Sequence, residues 1–92
     1  MGYEWLPGLM AILNGVEPHE VIQALDNPHR WPHPMRDQYG RAFVAIWART
    51  RTGRPVIVTI RLLGGFDAQI VAARPMTPDE TAHLETWEHN HE

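Results

Sequence analysis

The segment that most constrains the fold runs from Ala68 to Glu80, where an apolar strand is followed directly by a helix start. Thr77 is a good N-cap, Pro78 suits the first helical position, and Glu80 is placed to complete a capping box. The pattern therefore predicts that Arg74 ends a buried strand close to a helix N-terminus. The alternative is that Arg74 belongs only to a strand-to-helix junction.

Ahead of this segment, the period-two alternation of apolar residues predicts an antiparallel meander. The predicted strands are Arg41–Arg51, Pro55–Leu63 and Phe66–Arg74, with turns at Thr52-Gly53 and Gly64-Gly65. A fourth, edge strand is expected from residues 2–6 or from residues 30–36.

If both turns are two-residue hairpins, each sheet face has a defined set of residues. One face then carries Phe43, Ala45, Trp47, Val56, Val58, Ile60 and Val71, and the other carries Val44, Ile46, Ile57, Thr59, Arg61, Ile70 and Arg74. Because both faces are apolar, we expect helices on one and a partner, a second subunit or a substrate on the other. In this register Arg61 and Arg74 form a possible phosphate clamp. The alternative is that each pairs with an acid such as Glu80 or Glu85.

Three helices are predicted around the sheet. A short one opens at Pro7 and carries Leu9, Ile12 and Leu13, a second begins at Glu17-Pro18 and ends at Asp26-Asn27, and the last spans Pro78–Trp87. The predicted fold class is α+β: N-terminal short helices, a three- to four-stranded antiparallel meander and a C-terminal helix, in a single domain over residues 1–92.

Residues 28–40 are predicted to be a proline-rich loop that contains His29, Trp31 and His33. Such a loop is either part of a site or a stiff connection with Trp31 packed on the core. The spacing of His29 and His33 suits a metal only on a helix, which the prolines prevent, so no metal and no cofactor are expected.

Charge is unevenly distributed along the chain. Residues 1–40 hold two arginines and five acids, residues 41–74 hold six arginines and one acid, and residues 75–92 hold five acids and no arginine. Lysine is absent, so every fixed cation is a guanidinium, which suits bidentate contact with phosphate or carboxylate. The basic middle is either an exposed phosphate-binding face or one side of an internal arginine-to-acid seam.

The missing residue types exclude several chemistries. Cysteine and serine are both absent, so disulfides, thiolate metal sites and serine or cysteine nucleophiles are excluded. No apolar run is long enough for a membrane span and no signal peptide is evident, so a cytoplasmic protein without membrane contact is expected. Arginine, histidine, carboxylate and tyrosine remain, and they suffice for metal-independent RNA cleavage. The candidate proton carriers are His33, Tyr39, Glu80 and His83.

Several blocks of the chain resemble the BrnT family of toxins. They are Glu4-Trp5-x-Pro7, Asn14-Gly15-Val16, Glu20-Val21 with Leu25-Asp26-Asn27-Pro28, Gly40-Arg41, Gly53-Arg54, and above all Ile70-Val71-Ala72-Ala73-Arg74-Pro75-Met76-Thr77 with Glu80. The resemblance implies a RelE-like α+β fold and a ribonuclease that blocks translation. It also implies a cognate antitoxin, usually a small DNA-binding protein of the ribbon-helix-helix type.

The leading hypothesis is therefore a toxin component of a type II toxin-antitoxin system. Its expected catalytic residues are Arg74, Arg61, His33 and Glu80, and its expected substrate-binding residues are Arg41, Arg49 and Trp31. The alternative is a non-catalytic interaction module whose second sheet face forms a homodimer or binds a regulatory partner. A third hypothesis is a binder of small acidic molecules that uses the arginine pair.

Overall fold

The computed structural model of the chain describes residues 2–8, 13, 15–65 and 67–90. In chain order its elements are β1 (Gly2–Trp5), α1 (Pro18–Asp26), β2 (Trp31–Arg36), β3 (Ala42–Arg49), β4 (Pro55–Gly64), β5 (Asp67–Pro75) and α2 (Pro78–Asn90). The helix predicted to open at Pro7 falls mainly on residues 9–12 and 14, which lie outside the described residues.

The fold is α+β, as predicted, but the sheet is not a three- or four-stranded meander. It has five strands in the order β1-β5-β4-β3-β2. Strands β2 to β5 form an antiparallel meander, whereas β1 pairs with β5 in parallel. The two segments considered as alternative edge strands both pair with the sheet, one at each edge, which makes it mixed and one strand wider than predicted.

Strand β2 forms despite Pro32 and Pro34, and the segment predicted to be a loop is in fact an edge strand. The two prolines are two residues apart, so the positions of their missing N–H groups point to the same side of the strand. Because β2 pairs with β3 along its whole length, this side must be the one that faces away from β3. The prolines therefore remove no hydrogen bond from the pairing of β2 with β3. The outer edge of β2 therefore lacks two donors that an added strand would use.

The pairing of β3 with β4 corrects the predicted faces. Arg49 lies opposite Pro55, so residues 50–54 form the connection rather than a two-residue turn. The Thr50 N–H donates to the Arg54 carbonyl over 2.9 Å, and Gly53 takes a φ of 90° that favours glycine. This loop shifts β4 by one residue, so Phe43, Ala45 and Trp47 share a face with Ile57, Thr59 and Arg61 rather than with Val56, Val58 and Ile60.

The sheet face covered by α1, here called the inner face, carries the core. Its buried residues from the sheet are Ile46, Ala48, Val56, Val58, Ile60, Ala68, Ile70 and Ala73. Helix α1 contributes Val21, Ala24 and Leu25, which recur at helical spacing. A capping box begins this helix, because the Glu17 N–H donates to Glu20 Oε1 over 2.9 Å.

Helix α2 contacts the opposite face, here called the outer face. Its residues Glu80, Leu84, Trp87 and Glu88 recur at intervals that place them along one side of the helix. Glu80 and Glu88 pair with arginines of the sheet, and Trp87 stacks on Trp31. Within the described part of α2, Leu84 is the one buried residue. The helix therefore covers only the part of the outer face that these four residues contact.

Candidate functional site

A groove of about 510 Å³ lies on the outer face beside α2. It is lined by His33, Met35, Ala45, Trp47, Ile57, Thr59, Ala72, Ala73, Arg74 and Glu80. Four strands and the first turn of α2 contribute to it, so residues distant in sequence meet there. Three of the four predicted catalytic residues, namely His33, Arg74 and Glu80, line this one groove.

The ion pair between Arg74 and Glu80 forms one end of the groove. Arg74 donates from Nη1 to Glu80 Oε1 over 2.7 Å and from Nη2 to Oε2 over 2.6 Å, a bidentate geometry. Strand β5 ends one residue after Arg74, and Thr77 starts the helix. The Thr77 N–H donates to Glu80 Oε1 over 2.9 Å, and the Glu80 N–H donates to Thr77 Oγ1 over 3.2 Å. The predicted capping box is thus formed, and it fixes the carboxylate that holds Arg74.

These contacts keep Glu80 ionised. Hydrogen bonding from Arg74, followed by that from the Thr77 backbone, lowers the pKa of Glu80 from 4.5 to about 2. A carboxyl group with such a pKa is neither a useful proton donor nor a strong base near neutral pH. At neutral pH the geometry suits Glu80 to hold Arg74 in place. Proton transfer by Glu80, expected from the sequence, has no support in this environment.

We expect the replacement Glu80→Gln to lower the melting temperature at neutral pH, because it removes the ionised partner of Arg74. The pKa of Glu80 is depressed in the folded state, so its contribution to stability is present above the unfolded pKa of about 4.5 and is lost as pH falls toward about 2. Melting curves of both proteins over this range should converge at the acid end. Glu85→Gln is the matched control, since Glu85 lies exposed on the same helix. If the difference in melting temperature between the wild type and Glu80→Gln stayed constant down to the lowest pH, Glu80 would not be the group responsible.

The opposite wall of the groove is an aromatic cluster around His33. The ring centroid of His33 lies 4.2 Å from that of Trp31 and 4.5 Å from that of Trp47. Trp31 also stacks on Trp87, with centroids 5.4 Å apart and planes within 5°. The cluster therefore joins β2, β3 and α2. Trp31 packs within this cluster on the outer face, rather than on the core as the packing alternative proposed.

The imidazole of His33 sits in a poorly solvated environment. Its Nε2 is buried and has no hydrogen-bond partner among the described residues. Desolvation lowers the pKa of His33 from its usual 6.5. The neutral imidazole is thus the dominant form at neutral pH, which is the form a general base requires.

The remaining predicted site residues lie elsewhere. Arg61 is on the outer face but at the far end of β4, opposite Phe43 and Gln69. Arg41 pairs with Asp37 over 2.6 Å in the β2–β3 turn. Arg49 donates to both carboxylate oxygens of Glu88 over 2.9 and 3.0 Å. None of these three arginines lines the groove.

A second cleft, also of about 510 Å³, lies at the ends of β3 and β4. It contains Arg49 and Glu88, together with Asn27, His29, Thr50, Arg51, Gly53 and Trp87. Arg49 is the one predicted site residue in this cleft, and both of its bonds to Glu88 are made within it. The groove is the stronger candidate site because it collects three predicted residues rather than one.

Sequence reasoning did not assign Trp47, Thr59 or Ile57 to the site. All three alternate along β3 and β4 and face the groove. Period-two spacing places them on a common face, but only with the correct register between the two strands. The register depends on the five-residue connection at residues 50–54, which the sequence pattern did not predict.

The arginines of the middle segment are largely engaged with acids. Within the described part of the chain, Arg41, Arg49, Arg54 and Arg74 each pair with a carboxylate. Two of these acids, Glu80 and Glu88, come from the acidic C-terminal segment, as expected for an arginine-to-acid seam. The described residues contain no group of three or more acidic, histidine or cysteine side chains arranged to hold a metal ion.

No protein-family model matches the chain, and a search of curated proteins finds no match. Within the described part of the chain, no helix is long and apolar enough to cross a bilayer.

Proposed function

We propose that this chain is the RNA-cleaving toxin component of a type II toxin-antitoxin system and that the outer-face groove is its active site. The observation that carries the proposal is that one groove is lined by His33 from β2, Arg74 from β5 and Glu80 from α2, with β3 and β4 forming the floor between them. The resemblance of residues 70–80 to the BrnT family supports the same function. An antitoxin of the ribbon-helix-helix type is the proposed partner in the cytoplasm.

In the proposed reaction, neutral His33 takes the proton from a ribose 2′-hydroxyl at Nδ1, since its Nε2 is buried, and the hydroxyl oxygen attacks the adjacent phosphorus. Arg74 stabilises the negative charge that develops on the phosphorane oxygens. The bond to the 5′ oxygen breaks, and this oxygen takes a proton from water. The products are a 2′,3′-cyclic phosphate and a 5′-hydroxyl. Glu80 acts as a positioning residue, because it holds the guanidinium through two hydrogen bonds.

The purified chain tests this proposal directly. It should cleave mixed-sequence RNA in the presence of a metal chelator and leave 2′,3′-cyclic phosphate ends. The same sequence made with 2′-deoxyribose should remain intact, because it lacks the nucleophile. Intact RNA after prolonged incubation with the folded protein would refute the proposal.

The rate of cleavage should fall on the acid side of the pH profile, because protonated His33 cannot accept the 2′-hydroxyl proton. Burial lowers the pKa of His33, so the midpoint of this loss should lie below 6.5. Initial rates measured across the acid range provide the test. His83→Gln, at an exposed position of α2, should leave the midpoint unchanged, whereas His33→Gln should remove most of the activity at every pH. An unchanged profile in the His33 variant would remove this residue from the mechanism.

A second candidate function is a non-catalytic interaction module. Four exposed apolar side chains, those of Met35, Tyr39, Leu62 and Leu63, lie at the same end of the sheet and favour a protein contact there. A homodimer through this end would appear in light scattering at high protein concentration. A monomer that cleaves RNA would rule against this candidate.

A further inference from the structure

We propose that Arg61 binds a second phosphate of the same RNA strand, at a distance from the phosphate that is cleaved. This inference rests on the proposed function and extends it to the substrate, which would be an extended single strand lying along β4. It also changes the role expected for Arg61 from catalysis to substrate binding.

The register separates Arg61 from Arg74. Arg74 lies opposite Ile57, and Arg61 is four residues further along β4 on the same face. At about 3.3 Å per residue, this spacing is roughly 13 Å along the strand. The guanidinium of Arg74 is held toward α2 by Glu80 and by the Pro75 carbonyl, away from Arg61. The two cations are thus placed for two different phosphates rather than for one.

Arg61 is also uncommitted. Its guanidinium makes no hydrogen bond or ion pair with any described residue, whereas Arg41, Arg49, Arg54 and Arg74 each hold a carboxylate. Its cross-strand neighbours are Phe43 and Gln69, and neither carries a charge. A partly exposed guanidinium without an acidic partner is suited to bind phosphate. The half-buried ring of Phe43 beside it offers a surface on which a base can stack.

Small side chains connect the two positions. Thr59 and Ala72 face each other across β4 and β5 between Arg61 and Arg74, and Ala45 lies opposite Thr59 on β3. These three residues belong to the floor of the groove. No bulky side chain stands on this path in β4, so an extended strand can follow it from one arginine to the other.

Binding of uncleavable RNA tests the proposal. Fluorescence anisotropy would compare a 2′-O-methyl RNA of about twelve nucleotides, within the usual range of single-strand site sizes, with a trinucleotide. Arg61→Gln should weaken binding of the longer RNA by about fivefold to tenfold and leave the trinucleotide unaffected. The slope of log affinity against log salt should become shallower by about 0.7, the loss of one single-strand phosphate contact. In cleavage of the longer RNA, KM should rise while kcat is retained.

Arg51→Gln is the matched control. The guanidinium of Arg51 likewise makes no hydrogen bond or ion pair within the described residues, although its backbone N–H donates to Gln23 Oε1 over 3.0 Å. Arg51 lies in the 50–54 loop at the other end of β4, so loss of its charge should change neither the affinity nor the salt slope. Equal effects of the two variants would show a non-specific charge effect and overturn the proposal. A lower kcat for Arg61→Gln on the unmodified forms of both RNAs would place Arg61 at the cleaved phosphate, which overturns this inference and leaves the proposed function standing. If the wild-type protein binds no RNA, both fail.

Discussion

Replacing Arg74 with alanine should reduce the rate of RNA cleavage by about a hundredfold to a thousandfold, the usual cost of removing one donor that stabilises transition-state charge. Arg74 is the one arginine among the described residues that line the groove, and its guanidinium is oriented by the two oxygens of Glu80. The loss should appear in kcat, because the phosphorane carries more charge than the substrate. Single-turnover rates on a defined RNA provide the measurement. In bacteria, the wild-type chain should arrest growth and the variant should not.

Arg54→Ala is the control that separates catalysis from stability. Arg54 also pairs with a glutamate, Glu20, at 2.9 Å, and its side chain is exposed to a similar degree. Its pair joins the 50–54 loop to α1, away from the outer face. Arg54→Ala should therefore resemble Arg74→Ala in melting temperature and retain full activity. Equal losses of activity in both variants would mean that Arg74 supports activity only by stabilising the folded protein.

The strand-to-helix segment was predictable because its signals are local. Thr77, Pro78 and Glu80 each act within one helical turn, so the capping box could be recognised without any tertiary information. The pairing of Arg74 with Glu80 was one of two alternatives considered, and residue spacing alone could not choose between them.

The register of β3 and β4 was wrong for a physical reason. Thr52-Gly53 has the composition of a tight hairpin turn, but the connection spans residues 50–54. Its two ends are joined because the Thr50 N–H donates to the Arg54 carbonyl and the Arg54 N–H donates to Thr50 Oγ1. One residue of shift exchanges the faces of a whole strand. Both faces of β4 are apolar, so the hydrophobic pattern did not oppose the wrong choice.

Residues 30–36 were considered only as one of two alternative edge strands, and the proline-rich composition of residues 28–40 favoured a loop, because proline is disfavoured in strands on average. Pro32 and Pro34 are tolerated because β2 is an edge strand and both prolines face its unpaired side. Recognising this requires knowing which strand lies at the edge, which is a property of the whole sheet. The position of His33 in the groove depends on the same pairing, so it could not be derived from the loop composition of residues 28–40.

Replacing Leu84 with alanine should destabilise the protein by about 2–3 kcal/mol, toward the lower end of the range for buried leucines. Leu84 is fully buried and is the one buried residue of α2 within the described chain, so its truncation would leave a cavity beneath the helix. Two ion pairs and the stacking of Trp87 on Trp31 also attach the helix, but the ion pairs are partly exposed and contribute little. Denaturant unfolding followed by tryptophan fluorescence measures the loss.

Leu62→Ala is the matched control, because Leu62 is 49% exposed and its truncation should change the free energy of unfolding by less than about 0.5 kcal/mol. Since Glu80 is carried by α2, a loosened helix should also release Arg74. Leu84→Ala should therefore lower the cleavage rate even under conditions in which the sheet remains folded. If Leu84→Ala and Leu62→Ala have the same stability, α2 is not held by this contact, and another interaction must keep Glu80 at the groove.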